Sequence, residues 1–143
     1  MRAVVVADVV NANAVANTLQ DVTGLTIALL AGKTYRVRAW IVYTAAASST
    51  GARFALAGPA GTLAAQSWTP AGSTSIVGNN HNAYNGGAPA SGSLTGNNLA
   101  VVEAMLITTA AGDLIVRFSS EVASSAVTVK PGSFVEIQEV TWS

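Results

Sequence analysis

The side chains best suited to acid–base chemistry in this sequence are seven carboxylates and a single histidine, His81. The densest charged segment is residues 118–140, FSSEVASSAVTVKPGSFVEIQEV, in a chain with only 10% charged residues. A glycosidase needs two carboxylates that flank one cleft. Glu136 and Glu139 are three residues apart, so in a β-strand their side chains point to opposite faces. The segment is therefore interpreted as two strands and a turn, not as a catalytic pair.

His81 lacks the sequence neighbours that nucleophilic or metal chemistry requires. A Ser-His-Asp site needs a carboxylate that holds the histidine, and the nearest acids, Glu103 and Asp113, fall in predicted strands. Zinc takes three or four His, Cys or carboxylate ligands, whereas the chain has no cysteine. No glycine-rich loop leads into a helix that would hold a phosphate. The sequence predicts no catalytic, metal-binding or cofactor-binding residue, and a protein that is not an enzyme.

Aromatic side chains offer a different chemistry, because β-sandwiches often present aromatic platforms to sugars. The candidates are Trp40, Trp68, Trp142, Tyr43 and Tyr84. Trp40 falls on the strand face opposite Tyr43, so one of the two points outward. The alternative interpretation is that these large side chains are buried in the core.

Composition limits the kinds of partner that the chain can bind. The 143 residues include seven basic and seven acidic side chains, scattered singly, with a net charge of zero. No basic stripe is present to bind nucleic acid, and no apolar run approaches the ~18 residues of a membrane-spanning helix. Soluble domains average about 25% charged residues, and this chain has 10%. Such a surface favours burial against copies of the chain or a larger particle.

Short alternating runs, each ended by Gly, Pro, Asn or Ser, predict the elements that position these side chains. Residues 34–44, 52–59 and 113–121 alternate with period two, and residues 98–108 form a continuous apolar run. The continuous run predicts a strand that is covered on both faces. We therefore predict an all-β fold, an antiparallel β-sandwich of jelly-roll type, in a single domain over residues 1–143.

Two segments are less regular than the predicted strands. Residues 1–10, MRAVVVADVV, are either a first strand or an N-terminal arm. Residues 69–98 contain six glycines and are predicted to form one long loop rich in Gly, Asn and Ser, in which residues 73–78 are a possible short strand. A loop of that length inside a compact domain is often functional.

Ordered blocks of this sequence resemble a domain that recurs in virion proteins of tailed bacteriophages. The blocks are DVTGL, AGKTY, YTAAA, STGARF, GPA, NLAVVEAML and LIVRFSSEVASSAVTVKPGS, and the resemblance extends over residues 8–137. The sequence departs from the pattern at residues 79–94, NNHNAYNGGAPASGSL. The family provides no catalytic residues to transfer.

The resemblance implies a non-enzymatic structural protein on the surface of a phage particle. Because no fibrous segment is present, we expect a capsid decoration (cement) protein that binds across capsid subunits and forms a homo-oligomer, with a trimer favoured. Its partners would be further copies of itself and the major capsid protein or another virion protein. The alternative is a receptor- or carbohydrate-binding domain of a tail fibre.

Two sets of residues are candidates for these contacts. An apolar edge segment readily adds to the sheet of a neighbour, so the first set is the N-terminal valines Val4, Val5, Val6, Val9 and Val10. The second set comes from the long loop and its approach and consists of Trp68, His81 and Tyr84.

Overall fold

The protein is all-β in its computed structural model, which describes residues 1–142 and has no helix in that range. In chain order the strands are β1 Arg2–Val4, β2 Val9–Asn11, β3 Gln20–Leu29, β4 Thr34–Ala45, β5 Ala52–Ala57, β6 Gly61–Pro70, β7 Ile76–His81, β8 Asn98–Thr108, β9 Gly112–Ser120, β10 Val127–Val129 and β11 Phe134–Glu139. Every pairing between these strands is antiparallel.

The strands form two sheets that pack face to face as a β-sandwich. The large sheet has the order β1-β11-β4-β8-β6-β7, and β10 pairs with both β2 and β4 beside this path. The small sheet has the order β3-β9-β5. Across the interior, the ring of Tyr43 on β4 lies 5.0 Å from that of Phe54 on β5. The predicted all-β sandwich is confirmed at this level.

Strand β4 shows how the sequence builds the core. Its inward positions are buried and consist of Tyr35, Val37, Ala39, Ile41 and Tyr43. Because side chains alternate across a strand, Arg36, Arg38 and Trp40 point to the other face, and Trp40 is 42% exposed. The predicted inward faces of β5 and β9 are also confirmed, since Phe54 and Phe118 are buried and their rings stack.

Strand β8 contradicts the prediction that residues 98–108 are covered on both faces. Its inward residues, such as Val102 and Leu106, are fully buried. Its outward residues are not, since Leu99, Met105 and Ile107 are 47%, 42% and 50% exposed. The physical reason is that the small sheet covers only the inner face of the large sheet. Nothing in residues 1–142 covers the outer face of β8.

The turns at Gly32 and Gly132 need a backbone conformation that glycine adopts readily. Their φ angles are +70° and +91°, respectively. An added Cβ would meet no atom within 4 Å at either position, so backbone conformation, not space, favours glycine there. Gly132 also donates its N–H to the carbonyl of Val5, which joins the β10–β11 turn to the N-terminus.

The N-terminal segment forms two short strands of the chain's own large sheet. Arg2 pairs with Glu136 across β1 and β11, and β2 pairs with β10. Val5, between the two strands, is 1% exposed and belongs to the core.

The middle segment forms strand β7 and an irregular stretch, residues 82–97. The irregular stretch runs along the open edge of β5, where Asn85 and Ala90 donate their N–H groups to the carbonyls of Leu56 and Ala52. Thus this edge of the small sheet is covered by the chain itself.

Candidate functional site: the outer face of the large sheet

The charged residues of segment 118–140 do not form a common site. Lys130 bonds to Asp8 at 2.6 Å, and Glu139 bonds to Lys33 at 2.8 Å. The hydrogen bond to Glu139 raises the pKa of Lys33. Glu121 accepts a hydrogen bond from a backbone N–H instead. Lys130, Glu139 and Glu121 are thus engaged locally, and exposed pairs of this kind contribute little to stability.

The structure places the five candidate valines in different environments. Val4, Val6 and Val10 are 39%, 88% and 51% exposed. Val9 is partly buried against the core. Val5 is buried within the chain's own core, so it cannot reach a partner and is removed from the set of candidate contacts.

The three loop candidates also differ in environment. Trp68 is half-buried on β6, on the outer face of the large sheet, whereas His81 pairs with buried Ala65 and so faces inward. Tyr84 packs against the core, and its hydroxyl donates to the carbonyl of Pro59 at 2.8 Å. Tyr84 therefore anchors the irregular stretch, and its role as a loop contact stays a prediction.

A row of mostly apolar residues crosses the outer face of the large sheet. Residues directly opposite each other in antiparallel strands share a face, so the strand register defines the row. From one edge to the other, this aromatic row consists of Gly78, Trp68, Val101, Trp40, Phe134 and Val4. The rings of Trp40 and Phe134 are 6.2 Å apart. The row places apolar side chains next to one another on five strands, from Trp68 on β6 to Val4 on β1.

A row of polar residues runs parallel to the aromatic row, two residues along each strand. This charged row consists of Gln66, Glu103, Arg38, Glu136 and Arg2. Arg38 Nε bonds to Glu103 Oε1 at 2.7 Å. From Glu103 to Arg2, the charges alternate in sign on four successive strands.

A shallow depression of about 340 Å³ opens next to the charged row. Its polar lining consists of Arg36, Arg38, Gln66, Asn80 and Glu103. Guanidinium, amide and carboxylate groups can hydrogen-bond a polar ligand, as in small-molecule sites that combine a few polar groups with apolar walls.

The described residues contain neither a metal cluster nor a membrane-crossing helix. No group of three or more His, Asp or Glu side chains in residues 1–142 is placed to hold a metal ion. The same part of the chain contains no helix long and apolar enough to cross a membrane.

Sequence reasoning identified Trp40 as a candidate platform residue but missed most of the face around it. The continuous apolar run of β8 concealed which of its residues point outward. Phe134 and Val101 join Trp40 only through the register between strands that are far apart in the sequence.

Comparison of the chain with protein-family models, curated proteins and solved structures gives no match. The resemblance to phage virion domains therefore rests on the sequence blocks alone.

Proposed function

We propose that the protein is a non-enzymatic structural component of a bacteriophage particle, a capsid decoration protein that binds across capsid subunits on the virion surface. The observation that carries this proposal is exposed apolar surface in a chain with 10% charged residues. The outer face of the large sheet leaves Trp40, Leu99, Met105 and Ile107 each more than 40% exposed, and Val6 and Val10 are exposed near the N-terminus. Apolar patches of this kind mark surfaces that bind macromolecules.

The mechanism is the addition of buried contact area to the assembled shell. A protein that binds only the assembled state stabilises that state by mass action. We assign contact with the capsid to Val6 and Val10, which remain exposed near the N-terminus, and contact between copies of the chain to the outer face. The major capsid protein is the expected second partner.

The charged groups of the outer face support a binding role. The Glu103 carboxylate is already held by Arg38 at 2.7 Å, so it is committed to an ion pair. Paired charges of this kind position and select a partner surface.

The proposed fold subtype is a jelly roll. Successive strands β3, β4, β5 and β6 alternate between the small and the large sheet, as do β8, β9 and β10. Alternation of this kind is typical of double-sheet jelly rolls.

The test of the virion role is the copy number of the chain in purified particles, measured by quantitative mass spectrometry and located by electron cryomicroscopy. A decoration protein is expected in hundreds of copies on the head, because it occupies every equivalent capsid position. A few dozen copies or fewer, or a location on the tail, would reject decoration.

A second candidate function, binding of a carbohydrate receptor, is favoured by the depression at the charged row. Its arginine and amide side chains hydrogen-bond sugar hydroxyls, while Trp40 or Trp68, which lie outside the depression on the neighbouring aromatic row, stacks on a pyranose ring. A glycan array probed with the purified protein tests this function, with Trp40→Ala as the variant expected to abolish any signal. An array without signal would count against it.

A further inference from the structure

We propose that the outer face of the large sheet binds a second copy of the same chain, in a two-fold dimer whose axis runs parallel to the strands between β11 and β4. The inference deepens the proposed function, since it rests on the assignment of this face to contact between copies. It replaces the expected trimer, because a face that packs on itself is isologous and closes as a dimer.

The charged row supplies the main argument. Along β8, β4, β11 and β1, its signs are negative, positive, negative and positive. A two-fold rotation about the proposed axis places the charged row of one copy against the charged row of the other, with the order of the strands reversed. Arg2 then faces the partner's Glu103, and Glu136 faces the partner's Arg38. All four facing pairs have opposite charge, and complementarity of this kind fixes the orientation of an interface.

The same rotation lays the aromatic row on itself. Phe134 then faces the partner's Trp40, and Val4 faces the partner's Val101. Apolar groups meet apolar groups along the row, at the spacing of about 10 Å that is usual between stacked sheets. The aromatic row would form the core of the interface, with the charged row beside it.

The charges also select this axis over the other two-fold axis that the sheet allows. An axis perpendicular to the strands lays each strand on its own copy, so charged rows that meet would place Arg38 against the partner's Arg38 and Glu136 against the partner's Glu136. Charged rows that do not meet would instead face other rows of the partner, which are mostly apolar. A charge that loses water without gaining a partner is strongly unfavourable. Only the axis parallel to the strands places opposite charges against each other in the charged row and apolar groups against each other in the aromatic row.

The face is large enough for a stable contact. Strands β8, β4, β11 and β1 contain 11, 12, 6 and 3 residues, which at the usual strand spacing and rise per residue gives roughly 500 Å² of flat area. Protruding side chains increase the accessible area toward the ~800 Å² that each partner buries in a standard interface.

The test is charge-swap complementation between two variants. Glu136→Arg places a positive charge opposite the partner's Arg38, and Arg38→Glu places a negative charge opposite the partner's Glu136. Each variant alone is expected to self-associate at least roughly a hundredfold more weakly than the wild type, because like charges face each other twice. In an equimolar mixture every facing pair is again of opposite sign, so heterodimers form.

Analytical ultracentrifugation of the isolated full chain gives the result. The wild type and the mixture are expected at twice the 14.4 kDa chain mass, and each variant alone at the single mass. Asp113→Arg, which makes the same change of charge at an exposed position of β9 in the small sheet, is the matched control and should remain dimeric. Circular dichroism melts verify that each variant is folded.

Several outcomes would overturn the proposal. A monomeric or trimeric wild type would do so, as would a mixture that stays monomeric although both variants are folded. A monomer that gives a glycan-array signal lost in Trp40→Ala would assign the face to a carbohydrate instead. If a swap variant does not fold, Trp40→Gln, a change at a 42% exposed position, provides the test: a dimer as strong as the wild type would reject the interface. These measurements use no phage particle, so their failure is distinct from failure of the decoration role.

Discussion

Tyr43 holds its hydroxyl in the core, where the whole side chain is 0% exposed. Burial raises the pKa of Tyr43 to about 12, and the neighbouring Ser93 hydroxyl opposes this shift only in part. Neither hydroxyl has a hydrogen-bond partner of normal geometry among residues 1–142. Because a buried polar group without a partner is costly, the hydroxyl of Tyr43 does not stabilise the fold.

Replacing Tyr43 with Phe is therefore expected to leave stability at pH 7 unchanged or higher. Because the pKa of Tyr43 is higher in the folded state than in the unfolded chain, the phenol ionises first in the unfolded chain. The free energy of unfolding therefore keeps its full value below pH 10 and falls between pH 10 and 12. The wild type should lose about 2–3 kcal/mol more than Tyr43→Phe over that interval. Urea unfolding of both proteins at pH 7, 10 and 12 measures the difference, and parallel pH profiles would contradict the shift.

At the start of β8, the fold depends on the polar side chain of Asn98. Its amide nitrogen donates to the carbonyls of Tyr43, Leu94 and Gly96, and its side-chain oxygen accepts from the N–H of Leu94. The residue is 3% exposed. It ties the end of the irregular stretch to β4.

Asn98→Ala should destabilise the protein by about 2–3 kcal/mol, because it leaves buried backbone groups without partners. The matched control is Asn97→Ala, since Asn97 is exposed and should change stability by less than about 0.5 kcal/mol. Thermal and urea unfolding measure both variants, and equal losses would contradict the assigned role. The sequence pattern indicates a turn at these two asparagines but cannot show which one points inward.

At the scale of the element, β8 makes the clearest prediction. Leu106 points inward and is 0% exposed, whereas Met105 points outward and is 42% exposed. Leu106→Ala should cost about 2–5 kcal/mol through lost burial and a cavity, and Met105→Ala less than about 1 kcal/mol. Unfolding should be followed at protein concentrations where the chain is monomeric, so that any interface does not contribute. Similar losses for the two variants would indicate that both faces of β8 are covered.

The contrast between β4 and β8 explains how far an element can be predicted from sequence. In β4, Arg36 and Arg38 mark the outward face, so the alternation with Val37 and Tyr35 is readable. In β8 the outward positions are mostly apolar, so the same alternation is hidden. The burial of a strand depends on what lies against each face, and this is decided by the second sheet.

At the scale of the molecule, the N-terminus is a structural part of the sandwich and also a candidate contact. Deletion of residues 1–10 should lower the melting temperature markedly, because it removes β1, most of β2 and the buried Val5. By contrast, Val6→Ser with Val10→Ser should leave the melting temperature nearly unchanged and reduce occupancy on the particle. Calorimetry and the copy number per particle measure the two effects. Unchanged occupancy would reject these valines as capsid contacts.

The order of strands in the sheets could not be predicted from the sequence, although the class of fold could. The Gly and Pro residues that end each run, and the alternation of apolar and polar residues within it, are local features of the sequence. They suffice to predict an all-β domain with one core. The pairing of β1 with β11 joins the two ends of the chain, and the rows of the outer face require correct register across six strands. These long-range relations come from the packing of the whole molecule.

The covered edge of β5 bears on how such a chain avoids premature polymerisation. Unpaired strand edges are templates for runaway growth into fibres, and half of this chain's residues are hydrophobic. The irregular stretch protects β5, and the edge strand β7 carries Gly78, Asn79 and Asn80, residue types that fit poorly into an added strand. Both edges thus disfavour fibre growth by strand addition, which leaves the flat face of a sheet, and not its edge, for association.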